Sequence, residues 1–289
     1  FFCNAARDIF RGILLHFVRQ AQVDPAGWQS KLNNADLMKA FQSFQVEHYI
    51  KIFRHYPDLN SLVSYFGDGK SNQALGVFGE LNSMLSEYFV GILAEHTPER
   101  SISMRQAVRK KGGRAIFVEY DLAVGETLTP VYRLLIDQAL KEALSRMQKS
   151  GNVYFIADEF KLLPKLQHID DALNFGRGLG VRVMAGIQSI DQLYDVYGKE
   201  KGAVIASGFG SIFAFHTNDG SSREYITNRF GPNIIIYEYT SSQKNAIATK
   251  ERDGNTVEAW DQMELGVGQA VIGLGHDAPF LFQFDEYGK

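Results

Sequence analysis

The sequence predicts an α/β protein in which an all-α domain, residues 1–111, precedes a mostly parallel sheet within residues 112–289. Up to about residue 111, apolar residues recur at steps of three and four, which is the spacing of amphipathic helices. From residue 114 onward, short apolar runs alternate with helical segments of about ten to twenty residues, a pattern typical of a parallel sheet with helices on both faces.

Helices are predicted in four stretches of the first half. The apolar face of the first one comprises Phe2, Ala6, Phe10, Ile13, Leu14 and Phe17. Others are predicted at 45–53, at 71–96 with Ser71 as N-cap, and at 101–110. The apolar face of the helix at 71–96 comprises Leu75, Phe78, Leu81, Leu85 and Phe89, followed by Ile92 or Leu93.

Strands are predicted in the second half at 114–121, 153–160, 181–188 and 211–218. The helices that follow them are predicted at 127–148, 169–180, 190–198 and 221–231. Thr129 and Pro130 would be the N-cap and the first-turn proline of the first of these helices. From about residue 234 to the end, the runs IIIYEY, QAVIGLG and PFLFQFD predict hairpin-like edge strands.

Net charge, cysteine content and the length of the apolar runs limit the classes of protein to which this chain can belong. The net charge of −3 gives no global sign of nucleic-acid binding, so any contact with DNA is expected to be local. A single cysteine, Cys3, excludes an internal disulfide and fits a reducing cytosol. No stretch reaches the roughly 18 apolar residues of a membrane helix. The chain starts inside an apolar pattern without Met, which suggests part of a longer protein.

Residues 153–160, VYFIADEF, form an apolar run that ends in adjacent carboxylates. In α/β sheets, ligands bind at the carboxyl ends of strands, where Asp158 and Glu159 would lie. The pattern fits a Walker B strand, in which Asp158 would hold the Mg²⁺ that bridges nucleotide phosphates and Glu159 would polarise the attacking water. The alternative is a plain polar junction between a strand and a turn.

Two further residues extend this hypothesis. Gln188 ends the next predicted strand and would lie beside Asp158 and Glu159 if the strands are neighbours, where it would sense a γ-phosphate or orient water. Arg177 ends a helix among glycines, from where it would reach a neighbouring subunit's nucleotide as an arginine finger. The alternatives are a polar strand cap for Gln188 and a solvated helix-terminal side chain for Arg177.

A phosphate-binding loop is not evident. Such a loop needs G-x-x-x-x-G-K-[ST] between a strand and a helix, so that backbone N–H groups surround the phosphates. GKS occurs only in SYFGDGKSNQAL (64–75), where Ser64 replaces the first glycine. We expect this stretch to be a loop that opens the helix at 71–96.

Several runs occur together: VYFIADEF (153–160), DALNFGRGLGVRVMAGIQSIDQLYDVYG (171–198), FHTND (215–219) and REYITNRFG (223–231). In this combination the chain resembles type IV secretion coupling proteins, the TraD/TraG-like ATPases of conjugation, which are relatives of the FtsK/HerA DNA pumps. FFCNAARDIFRGIL (1–14) also resembles the beginning of their all-α domain, which is inserted between Walker A and Walker B. GIQSIDQLYDVYG is the most specific part of the match.

The resemblance implies a RecA-like P-loop NTPase core that lacks its first strand and P-loop, which would lie upstream of Phe1 together with any membrane helices. It assigns Asp158 to the magnesium carboxylate, Glu159 to the catalytic glutamate, Gln188 to a sensor-like glutamine and Arg177 to an arginine acting in trans. It also implies ATP and Mg²⁺, and a hexamer in which DNA, or relaxase and other protein substrates, pass to a type IV secretion channel. The chain would be the cytoplasmic portion of an inner-membrane-anchored bacterial protein, and inactive as an isolated fragment.

The densest basic run, RQAVRKKGGR (105–114), is a weaker signal. Its cations are Arg105, Arg109, Lys110, Lys111 and Arg114. They would contact DNA phosphates at a channel mouth. The alternative is a solvated end of a helix.

Two other functions remain open at this level. A soluble FtsK/HerA-type DNA translocase would share the motor, although the large helical block before the Walker B strand argues against it. A non-hydrolysing adaptor would keep the fold and bind secretion substrates through its helices, although the intact Asp158–Glu159 pair argues against a decayed site.

Overall fold

The computed structural model describes the chain apart from residues 68, 70, 96–101, 110–112, 123–124, 146–150, 164, 242–245, 276 and 286–289, and apart from the side chains at 92, 240, 241 and 246–248. Internal contacts divide the chain into two compact units. The first comprises Phe1–Ser101 with Glu126–Leu128, and the second comprises Ile102–Gly125 with Thr129–Lys289.

The first unit is helical. Its α-helices are α1 (Phe2–Val23), α2 (Pro25–Trp28), α3 (Asn34–Ser43), α4 (Val46–His55) and α5 (Asn72–Tyr88), and 3-10 helices lie at Gln29–Lys31, Asn60–Tyr65 and Gly91–Ala94. Ser71 is the N-cap of α5, as predicted, because its hydroxyl oxygen accepts a hydrogen bond from the N–H of Ala74. Lys70 of the GKS run lies outside the described residues.

Aromatic rings fill the core of the first unit. Tyr49, Phe53 and Phe66 are almost completely buried, and the ring of Phe66 stacks on the other two at centroid distances of 5.6 and 6.0 Å. Helix α1 passes this cluster at Gly12, where a Cβ atom would lie 2.7 Å from the ring of Phe53. The glycine therefore lets α1 approach the cluster closely.

The predicted apolar faces of α1 and α5 are buried only in part. The buried members are Ala6, Ile13, Phe17, Leu81 and Leu85. Phe2, Leu14 and Leu75 are exposed, although the periodicity assigns them to the same faces. At 3.6 residues per turn, some members of a three-and-four pattern lie at the margin of the stripe. None of the described helices combines the length and apolarity needed to cross a bilayer.

The second unit alternates helices and strands. Its α-helices are α6 (Met104–Arg109), α7 (Gly125–Leu144), α8 (Ile169–Asn174), α9 (Gly176–Leu179), α10 (Ile190–Tyr197), α11 (Lys199–Gly208), α12 (Gly220–Phe230) and α13 (Ala259–Glu264). Its strands are β1 (Val153–Ala157), β2 (Val181–Ala185), β3 (Ser211–Phe215), β4 (Pro232–Ser241), β5 (Ala246–Asn255), β6 (Gln269–Leu274) and β7 (Phe280–Gln283). This confirms the predicted α/β class.

The described strands pair in three groups. β1 and β2 are parallel, with Val153 opposite Val181 and Ala157 opposite Ala185. β3 pairs with β6 and β6 with β7, all antiparallel, while β4 and β5 form an antiparallel hairpin with ten residues in each strand. The edge strands expected after residue 234 are present, but β3 joins antiparallel neighbours rather than the parallel pair.

One face of the parallel pair is covered by helices. Val153, Phe155 and Ala157 pack into a core with side chains from α8, α10 and α11. On the opposite face, Tyr154, Ile156 and Met184 are 66%, 71% and 65% exposed. The expectation of helices on both faces is therefore met on one face only within the described part of the chain.

Two local predictions were wrong. Residues 114–121 form no strand, because no described strand pairs with them, and Ile116, Phe117 and Val118 are exposed. Helix α7 begins at Gly125 rather than after Thr129, and Pro130 lies inside it. The hydroxyl of Thr129 donates to the carbonyl oxygen of Gly125, so it bonds backwards within the helix instead of capping it.

Candidate functional site

The carboxyl ends of β1 and β2 meet at one edge of the parallel pair. The register sets Ala157 beside Ala185, so the residues that follow the two strands emerge at the same place. Asp158 and Glu159 follow β1, and Gln188 lies three residues beyond β2. We call Asp158, Glu159 and Gln188 together the strand-end site.

Gln188 and Glu159 are in direct contact. Nε2 of Gln188 donates a hydrogen bond of 3.1 Å to Oε2 of Glu159. The other oxygen of this carboxylate, Oε1, is buried and has no hydrogen-bond partner among the described residues. A buried acceptor without a partner costs roughly 1–3 kcal/mol. Among the described residues, Nδ1 of His168 and Oε1 of Gln262 are also buried without a hydrogen-bond partner. Asp158 is exposed at the same edge.

A backbone contact fixes the separation of the two strand ends. The N–H of Gly186 donates to the carbonyl oxygen of Ala157 at 2.8 Å, and the N–H of Phe160 donates to the carbonyl oxygen of Gly186 at 2.9 Å. A Cβ atom at Gly186 would overlap the carbonyl oxygen of Asp158. Only glycine therefore allows the turn that carries Gln188 to lie this close to Asp158.

Ser189 ties the turn after β2 to the turn after β3. Its hydroxyl donates to Oδ2 of Asp219 at 2.9 Å, and the same carboxylate oxygen accepts the N–H of Ser222 at 2.7 Å. The hydroxyl of Ser222 in turn accepts the N–H of Ile190 at 2.9 Å. These bonds join the first turns of α10 and α12 and hold the backbone next to Gln188.

Asp219 is stabilised in its ionised form. Hydrogen bonds from Ser222, and then the one from Ser189, hold the pKa of the Asp219 carboxyl below its ordinary value. Asp219 ends the run FHTND, but no role was predicted for it. An aspartate that ends a strand segment directly before a helix is a frequent N-cap, and that signal identifies it.

The strand-end site fits one part of a magnesium–nucleotide site. Mg²⁺ prefers oxygen ligands and is usually bound by one or two carboxylates together with substrate phosphates. Asp158 supplies an exposed carboxylate at the edge where such a ligand would lie. No group of three or more potential metal ligands occurs among the described residues, so a metal here depends on phosphate oxygens as well.

Arg177 lies at the opposite end of the strands. It belongs to α9, which precedes β2, whereas the strand-end site follows β1 and β2. Five strand residues at about 3.3 Å each place roughly 17 Å between the two ends. The side chain is exposed. Within one chain, Arg177 is therefore not brought together with Asp158, Glu159 and Gln188.

The predicted basic run is partly engaged within the second unit. Nε of Arg109 donates to Oε2 of Glu142 at 2.8 Å, and Arg105 lies 3.5 Å from the other oxygen of this carboxylate. Glu142 is buried on α7, so these two cations balance a charge inside the unit. Arg114 is exposed, and Lys110 and Lys111 lie outside the described residues.

Residues 1–267 match the protein family described as the type IV secretion-system coupling protein DNA-binding domain. Among curated proteins, a conjugal transfer protein TraG of Agrobacterium fabrum is 27% identical over 132 residues, which is 45% of this chain and 20% of that protein. The chain thus spans about a fifth of the length of this relative.

Solved structures of a conjugative coupling protein, TrwB, share the fold. An unbound form lacking its N-terminal segment superposes with a TM-score of 0.71 at 20% identity, over 95% of this chain and 62% of that one. A complex with the non-hydrolysable ATP analogue ADPNP gives 0.68 at 20% identity, over 95% and 61% of the two chains. A complex with ADP and Mg²⁺ gives 0.62 at 20% identity, over 97% and 68%.

The contact at Gly186 predicts a stability difference between two glycine substitutions. Gly186→Ala should lower the free energy of unfolding by about 1–3 kcal/mol, because the new methyl group overlaps the Asp158 carbonyl. Gly178→Ala is the control, since a Cβ there meets nothing within 4 Å, and it should change stability by less than about 1 kcal/mol. Chemical denaturation measures both; equal stabilities would show that the strand ends adjust freely.

The lowered pKa of Asp219 predicts a pH-dependent contribution to stability. A carboxyl whose folded-state pKa is depressed stabilises the protein above the unfolded value of about 3.9, and this contribution is lost as the pH falls through the folded-state value. Asp219→Asn should therefore melt below the wild type at pH 7, and the gap should narrow below about pH 4. Thermal unfolding followed by circular dichroism tests this, and a gap that stays constant with pH would contradict it.

Proposed function

Because the chain belongs to the type IV secretion-system coupling protein family, we propose that the protein containing it hydrolyses ATP to move DNA, or a DNA–protein conjugate, towards a secretion channel. The single observation that best supports ATP hydrolysis is the hydrogen bond from Gln188 to Glu159 at the carboxyl end of a parallel strand pair. This bond orients a carboxylate at the edge of the sheet where α/β folds bind ligands.

Asp158 and Glu159 take different roles in this proposal. Asp158 would hold Mg²⁺, which with ATP supplies the charge stabilisation that phosphoryl transfer needs. Glu159 would orient a water molecule and accept its proton on its carboxylate, which Gln188 holds through Oε2. General-base catalysis of this kind contributes about 10²- to 10⁴-fold in rate.

Gln188 would position Glu159 and report on the nucleotide. Its side-chain amide donates to Glu159, and its backbone N–H donates to Oε1 of Gln192 at 3.2 Å, so both ends of the residue are held. Ser189 and Asp219 hold the following residue. Loss of the γ-phosphate would therefore shift this turn, and the turn would move the first turns of α10 and α12.

Arg177 would act on the site of a neighbouring copy. Its place at the far end of the strands prevents it from serving the strand-end site of its own chain. A head-to-tail ring, such as a hexamer, would bring it to the next copy's nucleotide, where an arginine finger is worth about 10³- to 10⁵-fold in rate.

The wider assignments rest on family membership. We propose DNA and relaxase or other secreted proteins as substrates, and a type IV secretion channel as the recipient. We further propose that the chain is the cytoplasmic portion of a bacterial protein anchored in the inner membrane. Lys110, Lys111 and Arg114 are the better candidates for DNA phosphates in the basic run, because Arg105 and Arg109 already balance Glu142.

Glu159→Gln tests the proposed reaction. In the full-length protein we expect DNA-stimulated ATP turnover to fall by about 10²-fold or more, because the amide cannot accept a proton, while nucleotide affinity stays within about twofold. Phosphate release and nucleotide titration measure the two quantities. This chain alone should turn over ATP negligibly in the same assay, because its sequence contains no G-x-x-x-x-G-K cradle.

Glu200→Gln is the matched control, since Glu200 is exposed on α11 and should leave turnover unchanged. Equal ATP turnover of the wild type and Glu159→Gln would contradict the proposed reaction and favour the non-hydrolysing adaptor. Loss of nucleotide binding in Glu159→Gln would instead assign the residue to the structure of the site.

Mixing two inactive variants tests Arg177 in trans. Arg177→Ala should lose turnover by about 10³-fold with nearly unchanged nucleotide affinity. Equal amounts of Arg177→Ala and Glu159→Gln should regain up to about a quarter of wild-type turnover, since random mixing pairs an intact Glu159 with an intact Arg177 at that fraction of contacts. Mixtures as inactive as either variant alone would place Arg177 outside the neighbour's site.

A further inference from the structure

The β4–β5 hairpin is a two-stranded ribbon whose residues have no role in the proposed chemistry. Its strands pair from Pro232 opposite Asn255 to Ser241 opposite Ala246. At about 3.3 Å per residue, ten residues extend roughly 33 Å. The ribbon is attached at its base, where the N–H of Thr256 donates to the carbonyl oxygen of Gly231 at 3.0 Å.

One face of the ribbon is basic and aromatic. Residues directly opposite in an antiparallel pair point to the same face, and successive residues alternate between faces. Tyr237 opposes Lys250, and Ile235 opposes Arg252, so these four side chains share a face with Tyr239. The rings of Tyr237 and Tyr239 lie 6.4 Å apart, and both cations are exposed. We call this the basic face.

The other face is acidic and aliphatic. Ile234 opposes Asp253, Ile236 opposes Glu251, and Glu238 follows on the same side. Ile234 and Ile236 are 59% and 61% exposed, and the three carboxylates are exposed as well. We call this the acidic face.

Both faces carry apolar side chains that a lone ribbon leaves in water. Tyr237 and Tyr239 are 38% and 47% exposed on the basic face, beside the exposed isoleucines of the acidic face. Neither strand packs extensively against another described element. Two-stranded hairpins are marginally stable in water, and clustered exposed apolar side chains mark interaction surfaces. We therefore expect another surface to cover each of the two faces of the ribbon.

We propose that the basic face of the hairpin in one copy docks on the acidic face of the hairpin, with its exposed isoleucines, in the next copy. The two faces are complementary in charge, with Lys250 and Arg252 on one and Glu238, Glu251 and Asp253 on the other. A contact between different surfaces of identical chains is heterologous and builds a ring or a filament. This inference rests on the assembly proposed above and names the surface that holds it together.

Single-stranded DNA is the competing occupant of the basic face, since it binds surfaces that combine aromatic rings with cations. It accounts for one face only. The acidic face would remain uncovered, with Ile234 and Ile236 in water. Its three carboxylates would also outnumber Lys250 and Arg252 on the same ribbon and weaken attraction to phosphates. Further copies of the same chain account for both faces, because one neighbour covers the basic face and another covers the acidic face.

Charge exchange between the faces tests the proposal in the full-length protein. One variant, Lys250→Glu with Arg252→Glu, makes both faces acidic, and another, Glu251→Lys with Asp253→Lys, makes both faces basic. Each alone should sediment as smaller species than the wild type at equal concentration, because like faces repel. Their equal mixture should recover the wild-type assembly, because each face again meets an opposite charge.

The control combines all four substitutions in one chain, which exchanges the signs of the two faces and keeps their complementarity, so it should assemble as the wild type does. Thermal unfolding of each variant confirms that these exposed positions leave the fold intact. If a reversal variant unfolds, the neutral pair Lys250→Gln with Arg252→Gln replaces it and should weaken assembly at least threefold.

Three outcomes would overturn the inference. Reversal variants that assemble like the wild type would remove the hairpin from the interface. Normal assembly with weakened single-stranded DNA binding in Lys250→Glu with Arg252→Glu would assign the basic face to DNA. A wild-type protein that does not assemble would reject the proposed ring together with this interface, while DNA-stimulated ATP turnover of that same protein would still decide the reaction separately.

Discussion

The close approach of Gly186 to Asp158 is the constraint on which the strand-end site depends. Parallel pairing brings the ends of β1 and β2 to one edge, and the bonds of Gly186 with Ala157 and Phe160 extend the pairing beyond both strands. The two chains then diverge into separate turns. The bond between Gln188 and Glu159 is 3.1 Å long, near the upper end of the usual range for N–H···O bonds, so separating the two strand ends would lengthen it beyond that range.

Two buried carboxylates on α7 bind neighbouring elements to that helix. Oδ1 of Asp137 accepts the N–H groups of Gln167 and His168 at 2.8 and 3.2 Å, directly before α8, and Glu142 pairs with α6 through Arg109. The Glu142 carboxylate is buried while the Arg109 side chain is half exposed, so the pair lets a buried charge meet a cation that stays in contact with solvent. Arg105 and Arg109 of the basic run thus serve the fold by pairing with Glu142, which a count of charges along the sequence does not reveal.

Local pattern predicted those parts of the site that depend on neighbouring strands. VYFIADEF fixed the strand and its polar end, and the parallel arrangement implied that Gln188 would lie beside Glu159. The network of Ser189 with Asp219 was not predictable in this way, because it joins residues 30 apart through the packing of α10 against α12. The prediction of a strand at 114–121 was wrong because it also depended on residues far away in the chain. An apolar run becomes a strand only where another strand offers its hydrogen bonds.

The hairpin shows why net charge is a weak guide to the surface of this chain. Along β5 the order Lys250, Glu251, Arg252, Asp253 alternates in sign, so the segment is neutral and resembles ordinary solvated sequence. A strand sends alternate side chains to opposite faces, and the same four residues then form two fields of opposite sign back to back. A helix would have mixed these charges around its surface. The two faces of the ribbon therefore differ in charge because the β-strand conformation separates the alternating charges of a neutral segment. The register with β4 then adds apolar side chains to each face, and charge and apolar side chains together form the proposed docking surfaces.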